Sequence, residues 1–130
     1  MKYEPTVPPR VFEVGRGETI QIKDCGRVHL EADEQVTFVT ERGAEYDVAR
    51  KSWGFYATPS MNGRLAGFGL RSVLVRSYAA KLHVFLVERG REAEFRRYLE
   101  VEGHRVVAWL DTDEACRTVE RKLADGFSEV

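Results

Sequence analysis

The sequence predicts an α+β fold: a β-rich antiparallel N-terminal half, curved into a sandwich or partial barrel, continuing into a β-β-α-β-α C-terminal half. Three observations predict it. Short runs of alternating or β-branched apolar residues recur at even spacing through roughly the first fifty residues, which is the mark of successive antiparallel strands. Glycine, proline and acidic turn residues separate these runs. After Gly90 the apolar spacing lengthens to that of amphipathic helices. The 130 residues are near the usual size of one domain, so residues 1–130 are expected to form a single compact unit that needs neither disulfide nor metal to fold.

Each element has its own signal. Pro5, Pro8 and Pro9 forbid a helix and predict an extended lead-in over residues 1–10. Val11–Val14 reads as a strand ended by Gly15-Arg16-Gly17, and Thr19–Ile22 as a second ended by Asp24-Cys25-Gly26. Arg27–Glu31 alternates with Val28 and Leu30 inward and His29 outward. Val36–Thr40 follows the acidic tip Asp33-Glu34, and Ala44–Val48 follows Glu41-Arg42-Gly43. Trp53–Ala57 is an aromatic strand stopped by Thr58-Pro59-Ser60. Asn62-Gly63 is a turn pair, because both residues tolerate positive φ, and Gly67 and Gly69 bracket Phe68 where the chain can bend. Leu70–Tyr78 and Leu82–Glu88 form a long hairpin in the middle of the sheet. Ala93–Glu102 is a helix with Phe95 and Leu99 on one face and Gly103 as its left-handed stop. Arg105–Leu110 is an apolar strand. Asp111 caps a last helix with Glu114 reaching back, Ala115, Val119 and Leu123 form its inner stripe, Gly126 ends it, and residues 127–130 fray.

Charge narrows the function. The net charge is −1, so there is no global attraction to nucleic acid or to an anionic membrane. No apolar run approaches the ~18 residues of a membrane span, and the first residues lack a signal-peptide pattern; a cytoplasmic, soluble protein is expected. Cys25 and Cys116 form no CxxC pair and no disulfide framework; Cys116 belongs to the apolar side of the last helix. His29, His83 and His104 are scattered, and a metal site is not expected. Gly67-Phe68-Gly69 is no phosphate loop, since the Walker lysine and the third glycine of the dinucleotide pattern are both missing; no cofactor is implied.

The stretch from Trp53 to Arg71 stands out. Between Asp47 and Glu88 there is no acidic residue, while Arg50, Lys51, Arg64, Arg71, Arg76 and Lys81 are basic. The ordinary explanation is that these side chains pair with acids from elsewhere, such as Glu92, Glu94 or Asp113. The functional one is an anion site. Arg64 and Arg71 would offer bidentate donors, Asn62, Ser60 and Thr58 neutral hydrogen bonds, and Trp53 or Tyr56 a surface for a ring. If the site performs a reaction, Tyr56, His83 and Asp47 are the first acid–base residues to test. Aromatic residues interleaved with Arg and Lys also fit single-stranded nucleic acid, but near-zero charge and the lack of an RNP motif weigh against it.

Thr58-Pro59-Ser60-Met61-Asn62-Gly63-Arg64-Leu65 with Phe68-Gly69-Leu70-Arg71, and Leu86–Gly90 through Phe95, Tyr98-Leu99 and Val106–Asp111, resemble a family of small uncharacterised bacterial proteins. These are often encoded beside surface-polysaccharide or nonulosonic-acid biosynthesis genes. The resemblance covers about residues 45–111 and brings no catalytic residues with it. It implies a context, which agrees with an anionic, sugar-bearing ligand. The function expected is therefore a binding or accessory protein for a nucleotide sugar, sugar phosphate or acidic sugar. The alternatives are a small sugar-modifying enzyme at the same site, or a protein–protein docking module. Exposed β edges and the aromatic surface also allow a homodimer or a partner enzyme.

Overall fold

The computed structural model describes residues 1–124. The chain is a mixed α+β protein with antiparallel sheets and three helices, in the order β1 (Lys2–Val14), β2 (Ile20–His29), β3 (Gln35–Val39), β4 (Glu45–Lys51), β5 (Gly54–Ala57), α1 (Arg64–Gly67), β6 (Leu70–Arg76), β7 (Leu82–Glu88), α2 (Glu92–Glu102), β8 (Arg105–Trp109) and α3 (Asp113–Leu123). The strands form three separate sheets, β1-β2, β3-β4-β5 and β7-β6-β8. The expected sandwich or partial barrel does not form. The Gly126 stop and the frayed 127–130 lie outside the described residues.

The first departure from expectation is the start of the chain. The proline-rich segment is not a lead-in but part of β1, and the Asp24-Cys25-Gly26 stretch is not a turn but part of β2. Together they form a two-stranded ribbon whose thirteen-residue strand spans about 40 Å. The ladder runs from Lys2↔His29 to Pro5↔Gly26, breaks, and resumes from Arg10↔Asp24 to Val14↔Ile20. Pro8 and Pro9 sit in the break. Because neither strand has an outer neighbour among the described residues, their missing N–H groups deprive no ladder of a donor. Arg10 Nη2 donates to Asp24 Oδ2 at 3.0 Å, and Tyr3 Oη to the Cys25 carbonyl at 3.1 Å, on either side of it.

Among the described residues the ribbon meets the rest of the chain mainly at its loop end, where Glu18 and Ile20 border α2. Among the described residues, the strands and helices that touch it do so only marginally. One face carries the cross-strand pairs Val14↔Ile20 and Phe12↔Ile22, all four side chains exposed. Two-stranded hairpins need a covering layer to be stable in water, and among the described residues only Ile20 has part of one, where it borders α2.

The core is correspondingly small and divided. Val73, Val75, Val87 and Leu99 form one cluster, with Phe85, Phe95 and Trp109 packed on it. This is where the inner faces of β6 and β7 meet the Phe95–Leu99 face of α2. Ala44, Leu65 and Leu70 form the other, with Tyr46 and Leu86, joining β4 to the second half. Leu65 is fully buried because α1, a single helical turn, lays it between β4 and β6. β6 is the central strand of its sheet, as the hairpin pattern suggests; β7 is an edge, with Leu82, His83 and Val84 exposed.

Helix ends follow local chemistry. Gly103 closes α2 at φ 72°, as expected. The cap of α3 falls one residue later than expected: Thr112 Oγ1 accepts from Ala115 N at 3.0 Å, because Asp111 is committed to Arg71. α3 buries none of its side chains fully. Its apolar stripe of Ala115, Val119 and Leu123 instead faces Leu74, Val107 and Trp109 across a hollow of about 580 Å³. Cys116, on the same helix, is part-buried with its Sγ 3.4 Å from the Leu110 carbonyl, and burial raises its thiol pKa.

The division of the core makes Leu65 the side chain on which the attachment of β4 depends. Leu65→Ala is expected to destabilise the fold by about 3 kcal/mol through transfer loss and cavity formation, read as a lower urea midpoint at unchanged slope.

Candidate functional site

The stretch from Trp53 to Arg71 is spread over a turn, an edge strand and a helical turn. Trp53 is in the two-residue turn between β4 and β5 rather than in the strand, and is 70% exposed. Tyr56 is exposed on β5, opposite Ala49. Asp47 is opposite Thr37 on β4 and accepts from its hydroxyl at 2.6 Å, so Asp47 and Tyr56 share one sheet. His83 belongs to another sheet. Thr58 Oγ1 is buried without a partner among the described residues.

The remaining residues are used locally. Ser60 Oγ accepts the backbone N–H of Arg64 at 2.9 Å, which starts α1. The Asn62-Gly63 pair is therefore not a positive-φ turn: Gly63 has φ −141° and leads into the helix. Asn62 donates to Asp113 at 2.9 Å. The Arg64 guanidinium lies over the Phe68 ring at 5.6 Å. Gly69, at φ 83°, is the bend that glycine serves, with Ala44 close against it.

Arg71 is held in a structural network. Its Nε donates to Asp111 Oδ2 at 2.7 Å and its Nη1 to Glu92 Oε2 at 3.4 Å. The guanidinium rests 4.0 Å from the centre of the Trp109 ring. Pairing with Asp111 first, against the effect of burial, raises its pKa. The acid-free window is thus partly balanced by carboxylates from the chain beyond it, and Arg71 is not a free anion donor. Five surface hollows formed by the described residues take no lining from Trp53, Tyr56, Thr58, Ser60, Asn62, Arg64 or Arg71.

A different set of residues does converge, where the ribbon meets the body. The loop Gly15-Arg16-Gly17-Glu18 turns its backbone N–H groups onto the Glu102 carboxylate. Arg16 N donates at 2.8 Å to Oε2, and Gly17 N donates to the same oxygen. This is an anion nest filled by the chain's own side chain. Both glycines are obligatory: a Cβ at Gly15 would lie 2.0 Å from the Glu18 carbonyl oxygen, and one at Gly17 2.0 Å from that of Val101. The N–H of Gly17, followed by that of Arg16, holds the Glu102 carboxyl below its ordinary range despite its burial.

Above the nest, the Arg16 guanidinium lies flat on Tyr78, 3.5 Å from the ring centre. His104 Nδ1 accepts the N–H of Tyr78 at 2.9 Å, which places the ring proton on Nε2. Tyr98 meets His104 edge-on at 5.8 Å, and His83 stacks on Phe85 at 6.0 Å. Together these side chains line a hollow of about 420 Å³. From the sequence, Gly15-Arg16-Gly17 reads only as a strand end and Gly103-His104 only as a helix stop. The signal that joins them is Glu102, an acid at the last position of a helix, where the dipole disfavours it unless donors come from elsewhere.

Among the described residues no three metal-ligating side chains gather, and no helix is long and apolar enough to cross a membrane. No family model, no curated protein and no solved structure matches the chain.

Two outcomes are expected. Because the Glu102 pKa is lower in the folded chain than in the unfolded one, its contribution is present in full above the unfolded value of about 4.3. It is lost as pH falls through the lower folded value. Glu102→Gln should lower the melting temperature by several degrees at neutral pH, with the gap to the native chain closing in acid. Arg71→Ala leaves the nearly buried Asp111 without its cation and should cost about 2 kcal/mol, measured by chemical denaturation.

Proposed function

We propose that the protein is a docking and assembly module whose ribbon is covered by a second copy of the same chain. The observation that carries this reading is the accessible surface. The chain exposes 9720 Å², against about 7,000 Å² for a compact monomer of its size. If residues 125–130 contributed all of their unfolded-chain area, about 900 Å², an excess of about 1,800 Å² would remain. That excess is in the range each partner of an obligate homodimer buries, roughly 1,000–2,500 Å².

The surface concerned is apolar and contiguous with open strand edges. Phe12, Val14, Ile20 and Ile22 make a stripe along one ribbon face, and β1 and β2 both have unpaired outer edges. Contiguous exposed apolar surface of this kind marks an interaction site. A second copy suits it, because a net charge of −1 sets no long-range repulsion between identical chains. A two-fold axis would also place the same stripe on itself. The resemblance to proteins encoded beside surface-polysaccharide genes fits a small assembling accessory protein as well as it fits a ligand carrier.

Sedimentation velocity at micromolar concentration is expected to give a dimer or a higher closed oligomer. Phe12→Glu combined with Ile22→Glu should weaken association on the order of a hundredfold while leaving the helices and the melting of the body in place. A wild-type chain that sediments as a monomer throughout overturns the reading.

A further inference from the structure

We propose that the hollow between the ribbon loop and the β6–β7 turn is a binding site for a small oxyanion carried on a ring, such as a carboxylate or phosphate on a sugar. It is a different place from the Trp53–Arg71 stretch and does not depend on the second-copy reading.

Four features point to this ligand. The first is the sign of the lining. Arg16, Ser77, Tyr78, His83, Tyr98 and His104 contribute, with no carboxylate. Four other surface hollows each carry at least one glutamate: Glu94, Glu114, the set Glu41, Glu88 and Glu94, or the set Glu18, Glu94 and Glu102.

The second is the state of Arg16. Among the described residues no carboxylate pairs with its guanidinium, a condition it shares with most arginines of the chain; what sets it apart is how it is held. Its backbone is fixed by Glu102 and its side chain by Tyr78, so the charge is oriented before any ligand arrives. Little conformational entropy is left to lose on binding.

The third is the supply of neutral donors. With Nδ1 engaged by Tyr78, His104 has its Nε2–H for an acceptor, and His83 is exposed on edge strand β7. The fourth is the apolar wall of Phe85, Tyr98 and the His83 ring, which suits the C–H face of a sugar better than a bare ion. The volume of about 420 Å³ is at the small end of ligand pockets, enough for one ring and its anionic group.

The test is titration of the full chain with glucuronate, glucose 6-phosphate, inorganic phosphate and neutral glucose, followed through the side-chain nitrogen signals of His83 and His104. Saturable shifts of both histidines are expected with glucuronate or glucose 6-phosphate; the two arms separate a carboxylate from a phosphate source. Inorganic phosphate should bind more weakly and glucose not at all. Arg16→Gln should raise Kd about tenfold, and His83→Ala, an exposed change that leaves the core intact, about threefold. Arg64→Ala should leave Kd unchanged. No saturable shift with either charged sugar, equal binding of glucose or inorganic phosphate, or weakening by Arg64→Ala but by neither Arg16→Gln nor His83→Ala overturns the proposal.

Discussion

One buried carboxylate ties the two parts of this protein together, beside the exposed Arg97–Glu18 pair. Glu102 ends α2 and is closed over by the amides of Arg16 and Gly17, so the tip of a ribbon that touches little else is tied to the better packed sheet. At the other end the tie is the Met1 ammonium, 2.9 Å from Glu34, an exposed pair of the kind that contributes little. The Glu102 nest is of another kind. It is buried, it engages two backbone donors, and it requires glycine at both Gly15 and Gly17. A negative charge at a helix C-terminus is ordinarily a liability; here it is stabilised because the donors come from eighty-five residues away in the chain.

The position of the ribbon has two consequences. Its length is set free from the body, which leaves the Phe12–Ile22 face without cover and gives the chain its large accessible surface. Its tip, by contrast, is immobilised and presents Arg16 on Tyr78 beside His104. Assembly and ligand binding thus draw on adjacent parts of one element, since the Val14↔Ile20 pair borders the loop that carries Arg16. The same nest orients both, so loosening it is expected to disturb the hollow and the docking face together.

Much of the second half of the fold was legible in the sequence. The β6–β7 hairpin, the Phe95–Leu99 face of α2 and the left-handed Gly103 follow from local pattern and turn chemistry alone. The first half was legible only as strands. Prolines at positions 5, 8 and 9 argue against a ladder in any strand with two neighbours, and the sequence does not say that β1 has only one. The short α1 was hidden because Asn62-Gly63 is equally good turn chemistry, and only Ser60 reaching the Arg64 amide decides between them. The candidate site was not legible as a site. Arg71 carries a composition signal that its contacts with Asp111 and Glu92 largely neutralise. Arg16, Tyr78, His83 and His104 come from three parts of the chain and share no motif; what joins them is the long-range closure made by Glu102.

The most direct measurement of whether the ribbon is covered is carbene footprinting of the native protein at micromolar concentration, read at Phe12 and Ile20. In a single chain these side chains are 40% and 52% exposed. The account predicts near-complete protection of both, released on dilution below the dissociation constant. Labelling in proportion to their single-chain exposure, unchanged by dilution, would contradict it.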